Sequence, residues 1–123
     1  MIRVFLVDDQ TLVRQGVRSL LELSDAVQVI GEARDGDEAI AEIPRVKPDV
    51  VLLDLRMPDM DGAALWREVR VRWPALARRT LFVTGDTLSP GAEAFLAEAG
   101  CAALDKPFAR SDLVDRVATL LME

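Results

Sequence analysis

The sequence predicts an α/β domain built on one doubly wound, five-stranded parallel sheet in the strand order 2-1-3-4-5, with helices on both faces. Two observations lead to this fold class. Five short apolar runs alternate with segments whose apolar residues recur at helical spacing. Most of these runs contain no polar residue, which is typical of strands that are buried on both faces. Right-handed crossovers between such strands leave few other topologies.

The strands differ in their expected place in the sheet. The first run is entirely apolar and is predicted to lie in the interior of the sheet, whereas the second includes Gln28, as suits an edge strand. The third run closes on Asp54, shortly before a turn at Met57 and Pro58. In chain order the predicted strands cover residues 4–7, 27–32, 50–54, 81–83 and 102–104.

Helices are expected between these strands and after the last one. Pro44 is predicted to end the second helix, because proline has no backbone N–H to donate. Ser89 and Pro90 have the residue types that favour the start of a helix, a cap followed by a proline in the first turn. In chain order the predicted helices cover residues 12–21, the segment from Asp35 to Pro44, residues 65–73, a segment that begins at Ser89, and residues 113–121. Trp66 and Trp73 are expected to pack inward from the third of these helices.

Length and composition exclude several classes of function. The 123 residues, predicted to form a single domain over 1–123, are 50% hydrophobic and 29% charged, an ordinary globular balance. A net charge of −6 argues against nucleic-acid binding by this domain. No apolar stretch approaches the roughly 20 residues that span a membrane. Because the first residues already follow a strand pattern, no signal peptide is expected. We therefore expect a cytoplasmic domain, with Cys101 as a packed thiol.

Histidine is absent, which excludes a Ser-His-Asp triad and a histidine zinc site. Other polar residues collect at the predicted strand ends. Strand one ends at Asp8 and Asp9, strand three at Asp54 and strand four at Thr84, and Lys106 follows strand five. All five fall on the carboxyl edge, where doubly wound sheets bind ligands between strands one and three.

Three clustered carboxylates repel one another by roughly 4 kcal/mol per pair at 4 Å in a medium of dielectric constant about 20. A divalent cation removes that repulsion, and all-oxygen ligands suit Mg²⁺. Mg²⁺ also favours phosphate oxygens, so the pattern predicts phosphoryl transfer with Asp54 as the attacking carboxylate. A hydroxyl at Thr84 and an ammonium at Lys106 would stabilise the charge of the transferred group.

Each of these residues also has an ordinary structural interpretation. Asp8 and Asp9 could cap the following helix, and Asp54 could be a turn residue. Thr84 is a common strand residue, and Lys106 could be a solvated charge. Taken together, four strand ends that all carry the required group favour the functional interpretation.

The chain closely resembles the receiver domain of two-component response regulators, a flavodoxin-like fold. The resemblance extends over essentially the whole chain. It rests on the motifs Val7-Asp8-Asp9, Leu53-Asp54-Leu55-Arg56-Met57-Pro58, Met60-Asp61-Gly62, Val83-Thr84-Gly85 and Lys106-Pro107-Phe108.

This resemblance implies a role for each site residue. Asp54 would accept a phosphoryl group from a histidine kinase or a phosphotransfer domain. Asp9, Asp54 and the backbone carbonyl of Arg56 would bind Mg²⁺ directly, and Asp8 would bind it through water. Thr84 and Lys106 would hold the phosphoryl oxygens, and the domain could form a homodimer.

Departures from the usual receiver pattern leave the output of the domain open. Ala103 stands where receivers usually carry an aromatic switch residue. The signal is therefore expected to leave through Thr84 and the loop from Gly85 to Ser89, or through backbone shifts. The first half resembles receivers that precede a DNA-binding domain, and the segment from Thr84 onward resembles receivers of hybrid kinases. The chain ends at Glu123, which fits a stand-alone or an excised receiver.

Two rival functions belong to other classes. Aspartyl phosphatases usually need a second aspartate two residues after the nucleophile, and Arg56 occupies that position, which argues against hydrolysis of an external substrate. A receiver-like module that binds partners without accepting phosphate is the other alternative. At the rim of the pocket, Arg56 and Asp86 are predicted to tune the access of water to the acyl phosphate.

Overall fold

Five parallel strands form one sheet in the order β2-β1-β3-β4-β5. The computed structural model describes residues 2–54, 62–84, 102–105 and 114–119. This strand order confirms the predicted doubly wound fold, with β1 inside the sheet and β2 at its edge. The strands are β1 (Ile2–Val7), β2 (Val27–Ala33), β3 (Val50–Leu53), β4 (Thr80–Thr84) and β5 (Ala102–Asp105).

Helices connect the strands where the chain is described. They are α1 (Thr11–Glu22), α2 (Gly36–Val46), α3 (Gly62–Arg72) and α4 (Pro74–Ala77), and residues 114–119 are also helical. The short helix α4 was not predicted; Pro74 stands at its first turn, a position where the missing N–H costs nothing. The predicted helix start at Ser89 and the predicted burial of Cys101 lie outside the described residues. No helix in the described ranges is both long and apolar enough to cross a membrane.

The prediction that α2 ends at Pro44 was wrong. The helix continues to Val46 and closes at Lys47, which adopts a left-handed φ of 49° and donates its N–H to the Ile43 carbonyl at 2.8 Å. Pro44 removes one helical hydrogen bond, but Ile43 is only 2% exposed and Val46 also packs against the core. Burial of these two side chains offsets the lost bond.

The sheet has a separate apolar core on each face, as expected for a sheet covered by helices on both sides. We call them the α1 face and the α2–α3 face after the helices that cover them. Members of the α1 face include Val4, Leu6, Val50, Leu52, Leu81 and Val83 of the sheet with Leu21 and Val117 of the helices. Members of the α2–α3 face include Phe5, Val7, Val51, Leu53 and Phe82 of the sheet with Leu65, Trp66 and Val69 of α3.

Both tryptophans belong to the packing of the α2–α3 face, as predicted. Trp66 is 7% exposed and donates its indole N–H to the Ala77 carbonyl at 3.3 Å. Trp73 is half-buried against the same core. The guanidinium of Arg70 lies 5.5 Å from the centre of the Trp66 ring, a cation–π contact on its outer side.

A β-bulge interrupts the pairing of β1 with β2. Val4 pairs with Val29, but Phe5 pairs with Gly31, so Ile30 is an extra residue on β2. Side chains alternate between the faces of a strand, and the bulge reverses that alternation. Val29 accordingly packs on the α1 face, whereas Ala33, four residues later, packs on the α2–α3 face.

Two consequences of the bulge concern its neighbours. Glu32 is turned toward α1, where its carboxylate meets two arginines. Gly31 lies against the Phe5 ring so closely that an added Cβ would be 2.9 Å from its Cε2 atom. Glycine is therefore required at this position by close packing.

Candidate functional site

Two of the predicted site residues directly follow neighbouring strands. Val7 of β1 pairs with Leu53 of β3, so Asp8 and Asp54 leave the sheet at the same level. The sheet still holds both backbones at this point. The Asp8 N–H donates to the Ala33 carbonyl at 3.1 Å, and the Asp54 N–H donates to the Val7 carbonyl at 2.9 Å.

Asp8, Asp9 and Asp54 come together in one acidic cluster. Each offers a carboxylate oxygen, and these oxygens all lie within 4.8 Å of one another. Asp8 is 7% and Asp54 8% exposed, and Asp9 is more open to solvent. Burial strengthens the repulsion among like charges. An all-oxygen set at this spacing, with one member open to solvent, fits a small hard cation that keeps part of its water shell, as Mg²⁺ does.

Asp8 also has a local structural role. Its Oδ1 atom accepts a hydrogen bond from the Gln10 N–H at 2.9 Å. Gln10 is the cap residue of α1 and makes no side-chain capping bond of its own. Asp8 is therefore not the cap of α1. One of its oxygens instead closes a turn in which an aspartate bonds the backbone two residues on.

The other predicted site residues are described only in part. Thr84 is the last residue of β4, and its partner in β5 is Asp105, the residue before Lys106. Phe82 of β4 pairs with Leu53. The backbone of β4 therefore reaches the edge of the sheet that carries Asp54. Lys106, Arg56 and Asp86 lie outside the described residues, and their roles stay predictions.

A small pocket opens below the acidic cluster on the α1 face. Its polar rim is formed by Asp8, Asp54 and Arg14. Aliphatic side chains form its other walls, and apolar walls lower the local dielectric constant and so strengthen charge interactions at the rim. The wall residues are Leu6, Val7, Val17, Leu52, Leu53 and Val83.

Next to the cluster lies a group of charges that the sequence had not indicated. Arg14 and Arg18 project from successive turns of α1 toward Glu32 of β2, at 3.3 and 2.5 Å. Arg18 also contacts Glu22. The hydrogen bond that Arg18 donates to Glu22, followed by the one that it donates to Glu32, raises the Arg18 pKa above its ordinary value although burial opposes the shift. The sequence feature that could have revealed this charge group is the pair of arginines four residues apart, a spacing that places both on the same side of α1. Which strand residue would meet them depends on the bulge.

Comparison with known proteins agrees with this geometry. The sequence model of the response regulator receiver domain matches residues 4–118. The chain belongs to this family. The receiver domain of a NarL response regulator from Mycobacterium tuberculosis superposes with a TM-score of 0.86 at 37% identity, covering 98% of this chain and 96% of that one.

The curated relatives that this chain resembles include both regulators and enzymes. The transcriptional activator DevR/DosR of Mycobacterium tuberculosis is 37% identical over 99% of this chain and 62% of its own length. A protein-glutamate methylesterase/protein-glutamine glutaminase of Symbiobacterium thermophilum is 36% identical over 94% of this chain and 34% of its own length. The chain thus spans less than two thirds of each of these relatives. Receiver domains in this family serve both regulators and enzymes.

Proposed function

We propose that this receiver domain accepts a phosphoryl group on Asp54, in an Mg²⁺-dependent reaction, and that phosphorylation changes its surface. The observation that carries the proposal is the acidic cluster of Asp8, Asp9 and Asp54 at the ends of β1 and β3. Clustered carboxylates are costly without a cation. Their place at the carboxyl edge of the sheet is where such folds bind ligands.

In the proposed reaction an Asp54 carboxylate oxygen attacks the phosphorus of a phosphohistidine. A new oxygen–phosphorus bond forms, and the bond between phosphorus and the donor nitrogen breaks. Asp9, Asp54 and the Arg56 carbonyl would hold Mg²⁺ directly, with Asp8 bound through water. The ion would supply positive charge to the transferring group. Thr84 and Lys106 would donate hydrogen bonds to its oxygens.

The proposed donor is a sensor histidine kinase or a phosphotransfer domain in the cytoplasm. Phosphorylation would shift a pre-existing balance between two forms, because the phosphoryl group contacts Thr84 and Lys106 in only one of them. We propose that the receiver acts on an output domain or a separate partner and does not itself bind nucleic acid. Self-association, measured by light scattering before and after phosphorylation, would show whether the signal also drives homodimer formation.

Intact-mass measurement after incubation with acetyl phosphate tests the proposal. With Mg²⁺ present, we expect the protein to gain the mass of one phosphoryl group, and excess EDTA should prevent the gain. Asp54→Asn should remove the adduct. Asp37→Asn is the matched control, because Asp37 is an exposed aspartate in the first turn of α2 and is not a member of the cluster. This variant should be phosphorylated like the parent.

Other outcomes would favour the rival functions. A chain that folds, binds a kinase and never forms the adduct would be a binding module without phosphoryl chemistry. Steady release of phosphate from a foreign phosphate ester, without a lasting adduct, would make the domain a hydrolase. Transfer of the phosphoryl group to an aspartate other than Asp54 would overturn the assignment of the acceptor.

A further inference from the structure

Arg14 connects the acidic loop to the rest of the fold. Its side chain is 14% exposed, low for an arginine. Nη1 donates to the Asp8 carbonyl at 2.5 Å, and Nη2 donates to Thr11 Oγ1 at 3.3 Å. One guanidinium therefore spans the loop of Asp8, Asp9 and Gln10 from its first residue to the start of α1.

Glu32 holds the other side of the same guanidinium. Its Oε1 atom lies 3.3 Å from Arg14 Nε, and within the described residues that Nε makes no hydrogen bond. Charge attraction is what links the two groups. Glu32 also offsets the positive charge of Arg14, which would otherwise repel a cation at the neighbouring aspartates.

The bulge at Ile30 makes this arrangement possible. Without the extra residue, strand alternation would direct position 32 toward the α2–α3 face. With the bulge, the Glu32 carboxylate faces α1 and meets Arg14 and Arg18. Bulges that redirect a side chain beside a functional site are a recognised use of this irregularity.

We propose that Arg14, held in place by Glu32, is a positioning residue that orients the Asp8–Asp9 loop for Mg²⁺ binding. The proposal rests on the metal site of the proposed function and adds a residue that does not itself touch the ion. Outer groups that orient metal ligands commonly change metal affinity by about 10- to 100-fold when they are removed.

A pure charge effect predicts the opposite result. If Arg14 acted only through its positive charge, Arg14→Met would remove a repulsive cation and tighten Mg²⁺ binding. If Arg14 orients the loop, the same variant weakens binding. Arg14→Lys separates the two effects again, because lysine keeps the charge but has no planar fork to bridge the Asp8 carbonyl and Thr11.

Isothermal titration of the full chain with MgCl₂ tests the proposal. We expect Arg14→Met to raise the Mg²⁺ dissociation constant about tenfold, and Arg14→Lys and Glu32→Gln to raise it severalfold. Arg18→Met is the matched control. Arg18 also pairs with Glu32, but its other contact is Glu22 and not the loop of Asp8, Asp9 and Gln10. The Mg²⁺ dissociation constant of this variant should stay within twofold of the parent value. Saturating Mg²⁺ should restore the rate of phosphorylation by acetyl phosphate in every Arg14 variant.

Thermal melts without Mg²⁺ show which variants are folded, and Arg14→Lys carries the test if Arg14→Met does not fold. An Mg²⁺ affinity that is unchanged or tighter in folded Arg14 variants would overturn the positioning role and leave the proposed function intact. A parent protein that gives no saturable Mg²⁺ binding would remove both proposals.

Discussion

The two faces of the sheet use different chemistry. Every aromatic ring among the described residues packs on the α2–α3 face. Phe5 and Phe82 are fully buried there, and Trp66 is 7% exposed. The described core of the α1 face is aliphatic, built from valine, leucine and isoleucine. The acidic cluster, Arg14, Glu32 and the pocket all border the α1 face.

This difference indicates a division of labour within one small domain. Large rings bury much apolar surface each and dominate the stability of a core. Smaller aliphatic side chains leave room for a pocket beside charged groups. We infer that the α2–α3 face mainly stabilises the fold and that the α1 face mainly supports the site, and four predictions test this contrast.

The largest effect is expected on the α2–α3 face. Phe82→Ala should lower the free energy of unfolding by about 4 kcal/mol, because it removes a fully buried ring and leaves a cavity. Urea unfolding followed by circular dichroism measures the change. Val71→Ala, at a residue that is 81% exposed, is the control and should stay within about 0.5 kcal/mol. At a temperature where Phe82→Ala is folded, a tenfold change in Mg²⁺ affinity would break the comparison.

Gly31 directly follows the bulged residue Ile30 and pairs with Phe5 of the α2–α3 face. Gly31→Ala should cost about 2 kcal/mol, since the new methyl group would stand 2.9 Å from a carbon of the fully buried Phe5 ring, which would have to shift. We also expect weaker Mg²⁺ binding, because any shift of the bulge moves Glu32 relative to Arg14. A variant as stable as the parent would show that Phe5 relaxes freely and that the bulge does not depend on glycine.

The two helix starts provide a smaller contrast. Asp35 caps α2 by accepting the Glu38 N–H at 2.8 Å, and Asp35→Ala should cost about 1 kcal/mol. Gln10 occupies the same position in α1 without a side-chain bond, so Gln10→Ala should change the unfolding free energy by less than about 0.5 kcal/mol. Equal losses in the two variants would mean that the Gln10 side chain matters in solution.

The smallest effect is a gain in stability. Gly16 lies in α1, is exposed, and has open space where a Cβ would stand. Gly16→Ala should therefore stabilise the protein by about 0.7 kcal/mol, through the better helix propensity of alanine. It is also the glycine control for Gly31→Ala. A loss of stability would indicate that the α1 surface at this residue packs against something in solution.

Much of the site could be predicted because strand ends obey a simple geometric rule. The apolar runs before Asp8 and Asp54 mark buried strands, and parallel strands end at a common edge, so the approach of these carboxylates followed from their positions along the chain. The helix signals were less reliable. Pro44 has the properties of a helix terminator, but the burial of Ile43 and Val46 carries the helix past it.

By itself, the sequence determined the order of the strands, the two covered faces and the approach of Asp8 and Asp54 at the carboxyl edge, because these depend on local periodicity and on the rules of chain connection. Only the tertiary structure decided that Glu32 faces α1 and that Arg14 bridges it to the acidic loop. A single extra residue in β2 reverses the face of the sheet on which each later side chain of that strand lies. The residue after the insertion, Gly31, pairs with Phe5, which lies 26 residues away in the chain and on another strand, and the Phe5 ring leaves no space there for a Cβ.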